Sequence, residues 1–208
     1  MTRRPKRLAG FAAAALLAAA LVIAQAAIPF PAAIPTASAA CPGAEVVFAR
    51  GRDEPPGLGA VGDALVNSLR GKTRMPVGAY GVNYPADIAV DSGANDMAAH
   101  VQFMAGSCPN TREVLGGYSL GAEVADLATW SRMSPGANQH VAAVALFGNG
   151  TRGPAPAFAG KTIDQCAAGD PICTRGGLRD LHWSSHLQPS YIDSGLVDQA
   201  AGFVAGKL

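Results

Sequence analysis

Charge is scarce in this sequence. Asp, Glu, Lys and Arg make up 15% of it, and past the first seven residues no stretch gathers Lys and Arg into a basic face. That excludes the electrostatic footprint of a nucleic-acid-binding protein. Cysteine is rare too: the four, Cys41, Cys108, Cys166 and Cys173, form no Cys-x-x-Cys and no Cys/His cluster, so a structural zinc site is a poor reading of them. Internal repeats and interdomain linkers are absent, and 208 residues suit one domain with a real core rather than two. After residue 39 no run is long and apolar enough to span a bilayer. What the chain does have is apolar content, 49% of residues spread along its length, which excludes disorder.

The first 39 residues stand apart. Arg3, Arg4, Lys6 and Arg7 form a basic start, an apolar run follows from Phe11 to Ala24, and a Pro-punctuated stretch ends in Ala37-Ser38-Ala39. This is the order of a secretory signal peptide, residues 1–39, with cleavage after Ala39. The competing reading is a membrane anchor, but Phe11–Ala27 sits near the lower length limit and Pro29 and Pro31 break it. Without the leader, 12 Lys+Arg stand against 15 Asp+Glu, a net charge of −3. An even number of cysteines in an exported chain reads as two disulfides with three connectivities. Cys166/Cys173 closes a short loop and is the easier pair, and Cys41/Cys108 then follows by elimination.

From residue 40 onward, short apolar runs alternate with amphipathic segments. Strands are expected at Glu45–Ala49, Pro76–Val82, Glu113–Gly117, Val141–Phe147 and Thr162–Cys166. Helices are expected at Val61–Leu69, Ala94–Gly106, Ala122–Trp130 and Ser194–Leu208. The unbroken apolar run Val141–Phe147 suits a strand buried on both faces. Gly148–Gly160 reads as a surface loop, and the apolar stripe of the last helix as core. Strands separated by helices imply an α/β fold with a parallel sheet covered on both faces.

One motif carries chemistry. Gly117-Tyr118-Ser119-Leu120-Gly121 fits G-x-S-x-G, after an expected strand and before an expected helix. A nucleophile elbow needs that setting, because the sharp turn lifts the serine hydroxyl beyond the sheet at the positive end of the helix. The hydroxyl is a weak nucleophile without a base. In α/β-hydrolases the chain order is Ser, acid, His. His100 precedes Ser119 and is excluded, and His140 stands at the entrance to a buried strand. His182 and His186 remain. Of the acids, Glu123 and Asp126 are expected to point away from the loops, and Asp164 lies in or beside a short strand. Asp170, in Gly169-Asp170-Pro171 inside the Cys166/Cys173 loop, is held well enough to orient a His. Its bland alternative is the cap of a turn before proline.

The chain resembles the cutinase family, in particular its mycobacterial cutinase-like branch. The matching pieces include Val46-Val47-Phe48-Ala49-Arg50-Gly51, Gly57-Leu58-Gly59, Asn83-Tyr84-Pro85-Ala86 and Cys108-Pro109. Further on they include Gly116-Gly117-Tyr118-Ser119, Val144-Ala145-Leu146-Phe147-Gly148 and Asp170-Pro171-Ile172-Cys173. The resemblance implies a small lidless α/β-hydrolase with disulfides Cys41–Cys108 and Cys166–Cys173. It implies Ser119 as nucleophile, Asp170 as acid and His186 as base, with Tyr191 downstream and His182 left without a role. The oxyanion donors would be the backbone N–H groups of Leu120 and Arg52. Family members usually carry Ser or Thr where Arg52 stands, and commonly Gln where Leu120 stands. The lost hydroxyl donor at position 52 can cost roughly 10²–10³ in rate.

The expectation is a secreted serine carboxylic-ester hydrolase acting on lipid-like or short- to medium-chain esters. No metal or organic cofactor is implied, and a monomer with peripheral envelope association is compatible with the chain. Two alternatives stand beside it: a catalytically weakened binding or antigen-like protein, motivated by Arg52, and an envelope phospholipase or acyltransferase. Trp130 and Trp183 read as packing or rim residues.

Overall fold

The computed structural model describes residues 41–174 and 182–208. The leader assigned to residues 1–39 lies outside them. Five strands form one parallel sheet: β1 (Ala44–Ala49), β2 (Val77–Gly81), β3 (Arg112–Tyr118), β4 (Val141–Phe147) and β5 (Thr162–Gln165), in the order β2-β1-β3-β4-β5. The helices are α1 (Gly59–Lys72), α2 (Val90–Ser107), α3 (Leu120–Ser131), α4 (Pro135–His140), α5 (Pro189–Ile192) and α6 (Leu196–Ala205). Short 3₁₀ turns occupy Pro156–Lys161 and Trp183–His186.

The alternation of strand side chains explains the layers. Val46 and Phe48 of β1 and Val114 of β3 point to one face, where they meet Val61 and Leu65 of α1 and Val197 and Val204 of α6. Val47, Ala49 and Leu115 point to the other, against Met97 and Val101 of α2 and Val124 and Ala128 of α3. The stripe of α6 is therefore core, as its periodicity implied. A sheet buried on both faces needs apolar residues at successive positions, which is why Val141–Phe147 could be read directly.

All five expected strands and four expected helices occur, with boundaries moved by a few residues. The sequence reading had no place for α4, whose six residues are too few for a periodic signal. Ser134 Oγ accepts the Ala137 N–H at 3.2 Å and Pro135 fills the first turn, a capping pattern that starts this helix. Both expected disulfides are present, Cys41–Cys108 and Cys166–Cys173. No helix among the described residues is long and apolar enough to cross a membrane.

Chain order positions the site. From β1 the chain moves outward to β2, then returns to the other side of β1 to form β3. The direction of winding thus reverses between β1 and β3. In open α/β sheets the crevice beyond the strand carboxyl ends at such a point is where ligands bind. The residues leaving β1 and β3 there are Arg50–Glu54 and Ser119.

Candidate active site

Ser119 joins β3 to α3 with φ 55° and ψ −119°, a backbone conformation that non-glycine residues rarely adopt and that costs of order 1–3 kcal/mol. The flanking glycines make this turn feasible. A Cβ on Gly121 would stand 1.9 Å from Ala49 O, and one on Gly117 would stand 2.0 Å from Gly121 O. The strand and the helix start touch backbone to backbone. Gly121→Ala is therefore expected to destabilise the fold by about 3 kcal/mol, lowering Tm by roughly 6–12 °C in thermal denaturation.

Ser119 Oγ lies 2.8 Å from Nε2 of His186, and Nδ1 of His186 lies 2.7 Å from Oδ2 of Asp170. A carboxylate only accepts, so Nδ1 carries the proton and Nε2 presents its lone pair to the serine hydroxyl. Asp170 is fully buried. Its Oδ1 accepts the Ile172 N–H at 2.7 Å, and its Oδ2 also accepts the Tyr191 hydroxyl. Burial, with the Asp170 hydrogen bond second, raises the Tyr191 pKa, so the phenol stays a neutral donor. The Cys166–Cys173 bridge closes the loop that holds Asp170. Backbone bonding ties that loop to the histidine turn, since His182 N–H donates to Gly169 O at 2.9 Å. His182 thus braces the site through its main chain and brings no side chain to it. Tyr118 stacks on the His186 ring at 5.5 Å and donates to the His186 carbonyl.

The other wall is the loop after β1. Leu120 opens α3, so its N–H is among those a helix cannot satisfy internally. Arg52 lines the same cleft, a cavity of about 400 Å³ that also holds Ser119, Leu120 and Ile172. Its side chain is exposed. Asp87 is held below its ordinary pKa mainly by the Ala89 N–H, and the charge of Arg52 adds to this. Two residues to which the sequence reading gave no role set the shape of this loop. Glu54 accepts the Gly51 N–H at 2.6 Å and the Ala60 N–H at 2.9 Å. Buried Arg50 donates to Glu54 O at 2.7 Å and Tyr84 O at 2.7 Å. The Tyr84 carbonyl that Arg50 engages lies 34 residues away in the chain, out of reach of any local pattern.

Two expectations need correction. Glu123 and Asp126 do not point away from the loops. Glu123 borders the Ser119 cleft. Asp126 is buried and accepts from Asn149 Nδ2 and Gly153 N–H, both at 3.1 Å, and from the Thr151 hydroxyl. The loop following β4 rises beside α3, and it turns what would be a solvent face into a lined wall. Among the described residues no group of three His, Cys, Asp or Glu side chains could hold a metal ion.

The family model for cutinase matches residues 40–208. The chain belongs to the cutinase family. A probable carboxylesterase, Culp2, of Mycobacterium tuberculosis is 51% identical to it over 216 residues, covering 95% of this chain and 94% of the relative. A phospholipase, Culp4, of the same species is 47% identical, covering 96% and 89%. Among solved structures, a Trichoderma reesei cutinase in complex with a phosphonate inhibitor superposes with a TM-score of 0.64 at 32% identity, over 80% of this chain and 77% of that one. This cutinase is accordingly a serine carboxylic-ester hydrolase.

Proposed function

We propose that Ser119 is the nucleophile of this cutinase, His186 its general base and Asp170 the group that orients the imidazole and stabilises it once it is protonated. The supporting observation is the continuous relay from Asp170 through both ring nitrogens of His186 to Ser119 Oγ, at 2.7 and 2.8 Å, on the strained turn between β3 and α3. His186 takes the Ser119 proton as Oγ bonds to the ester carbonyl carbon. The N–H groups of Leu120 and Arg52 hold the tetrahedral oxyanion. The ester C–O bond then breaks, and the alcohol leaves with the proton from His186. Water, deprotonated by the same ring, cleaves the acyl-enzyme and restores Ser119.

The substrate is a lipid-like or medium-chain ester. Exposed Ile172 borders the Ser119 cleft, and exposed Trp183 and Leu187 flank His186, with Trp183 edge-on to its ring at 6.4 Å. Such a rim suits an apolar ester or an ester at a surface. The phospholipase name of one relative points the same way. The basic and apolar leader, together with two disulfides, supports export to an oxidising compartment. The protein acts there as a monomer, free or loosely attached to the envelope.

The experiment is hydrolysis of a p-nitrophenyl ester series from acetate to palmitate by the chain from residue 40, alongside labelling by a fluorophosphonate. Turnover and labelling of Ser119 are expected. The exposed Arg52 supplies no hydroxyl to the oxyanion, so Arg52→Thr is expected to raise kcat by up to about 10²-fold. A silent wild type beside an active Arg52→Thr variant would move the reading to a binding protein with a disabled oxyanion site. Acyl transfer to an added sugar in place of release of free acid would make it a transferase.

A further inference from the structure

The Ser119 cleft does not end at Glu123. A second cavity of about 470 Å³ adjoins it along the outer side of α3, lined by Leu127, Trp130, Ser131, Thr151 and Arg152 together with the acids Glu123 and Asp126. Glu123 and Thr151 border both cavities, so the two adjoin along one side of α3 and are described together as a trench. Its floor is a single helical stripe, Leu120, Glu123, Leu127 and Trp130, spaced for one side of a helix. Ten residues of helix measure about 15 Å.

The chemistry of the lining decides what fits. Most of its polar atoms are spent on the protein itself. Trp130 Nε1 donates to Gly153 O at 2.8 Å, and Ser131 Oγ donates to Leu127 O at 3.2 Å. Asp126 holds Asn149, Thr151 and Gly153 in the wall. The Arg152 guanidinium stands 5.3 Å over the Trp130 ring and covers one indole face. Between the charged Glu123 at its near end and Arg152 at its far end, the surface offered to a guest is chiefly the side chain of Leu127 and the indole of Trp130. A sugar, which needs directed hydrogen bonds, would find few. An alkyl chain needs none. Direction follows from the relay. His186 protonates the departing alcohol, so the alcohol must leave on the His186 side, whereas the trench runs from Ser119 along α3, past Leu120 and Glu123.

We propose that this trench is the acyl subsite, and that Leu127 and Trp130 set the preference for acyl chains of about ten to twelve carbons. An extended chain advances about 1.3 Å per bond, so a dodecanoyl group anchored at Ser119 reaches Trp130, and an acetyl group reaches neither residue. The wall is preformed, because the loop beside α3 is pinned by the buried Asp126. This assignment rests on Ser119 as the nucleophile.

The test compares kcat/KM for p-nitrophenyl dodecanoate and acetate in wild type, Leu127→Arg and Trp130→Ala. Leu127→Arg puts a charge across the trench, and Trp130→Ala removes its end wall at an exposed position that tolerates truncation. The dodecanoate-to-acetate ratio is expected to fall about tenfold in Leu127→Arg and by a smaller factor in Trp130→Ala. Should Leu127→Arg fail to fold, the Trp130→Ala ratio carries the test. If acetate is turned over and the ratio stays at the wild-type value, the acyl assignment is overturned while the esterase reading stands. If wild type turns over neither ester, the reading of Ser119 falls and the subsite with it.

Discussion

Ser119→Ala is expected to lower kcat on a short p-nitrophenyl ester by about 10⁶-fold, and adding Asp170→Asn to that variant is expected to cost nothing further. Alone, Asp170→Asn is expected to cost about 10⁴-fold. The reason is that the three groups act as one device. His186 accepts the Ser119 proton only if its own proton sits on Nδ1, and the Asp170 carboxylate, accepting there, favours that tautomer and holds the ring. An Asn at 170 could offer its amide N–H to Nδ1, which would flip the ring to the tautomer that donates to Ser119 instead of accepting from it. Tyr191, whose hydroxyl bonds the same Asp170 oxygen, would remain in place, so the geometry should survive while the proton transfer does not. With Ser119 gone there is no proton to move, and the state of the ring no longer matters. The measurement is kcat for wild type, both single variants and the double. A double variant far slower than Ser119→Ala would mean that Asp170 supports a route that does not pass through Ser119.

How much of this was legible in the sequence depends on the range of the signal. The elbow is local: a short buried strand, two glycines around Ser119 and a helix-prone segment sit within twenty residues, and each has a physical reason to be there. Strand β4 was readable because burial on both faces leaves an unbroken apolar run. Asp170 was readable because proline and a short disulfide loop mark its turn. His186 could not be separated from His182 by local pattern alone, and only family resemblance chose between them. The structure separates them by role, one ring in the relay and one main-chain N–H in a brace. Glu54 was given no role because its partners are backbone N–H groups, which carry no residue signature, and Arg50 because it ties β1's loop to residues distant in sequence. Glu123 and Asp126 were misread for the same reason. Their spacing puts Glu123 on the outer stripe of α3, but nothing in residues 120–131 tells that the 149–153 loop rises against it. Charge in an apolar strand was the signal left unused, and Glu113 is its clearest case.

Glu113 should make the protein's stability fall with rising pH. It is the second residue of β3, fully buried, directly beside Glu45 of β1 in the sheet register. Among the described residues neither of its carboxylate oxygens has a hydrogen-bond partner. Burial, then the neighbouring Glu45, pushes its pKa from 4.5 up to about 8. Other ionisable groups gather nearby on this face. His100 of α2 sits 2.7 Å from Glu45 and stacks on Tyr80 of β2 at 3.6 Å, and Tyr80 donates to Asp96 of α2 at 3.0 Å. Glu45 thus has a partner in His100, and Glu113 has none among the described residues. Between pH 4.5 and about pH 8 the folded chain keeps a proton at this site that the unfolded chain has lost. Stability contributed by the neutral acid is complete below the lower value and lost as pH rises through the upper one, at about 1.4 kcal/mol per pH unit and up to about 5 kcal/mol in all. Glu113→Met keeps the reach of the side chain and cannot titrate. Urea denaturation of both proteins between about pH 5 and about pH 9 is expected to show the variant gaining on wild type across that range by several kcal/mol. A constant difference between the two curves would mean that Glu113 finds a proton donor or water in the folded state and ionises at its ordinary pKa.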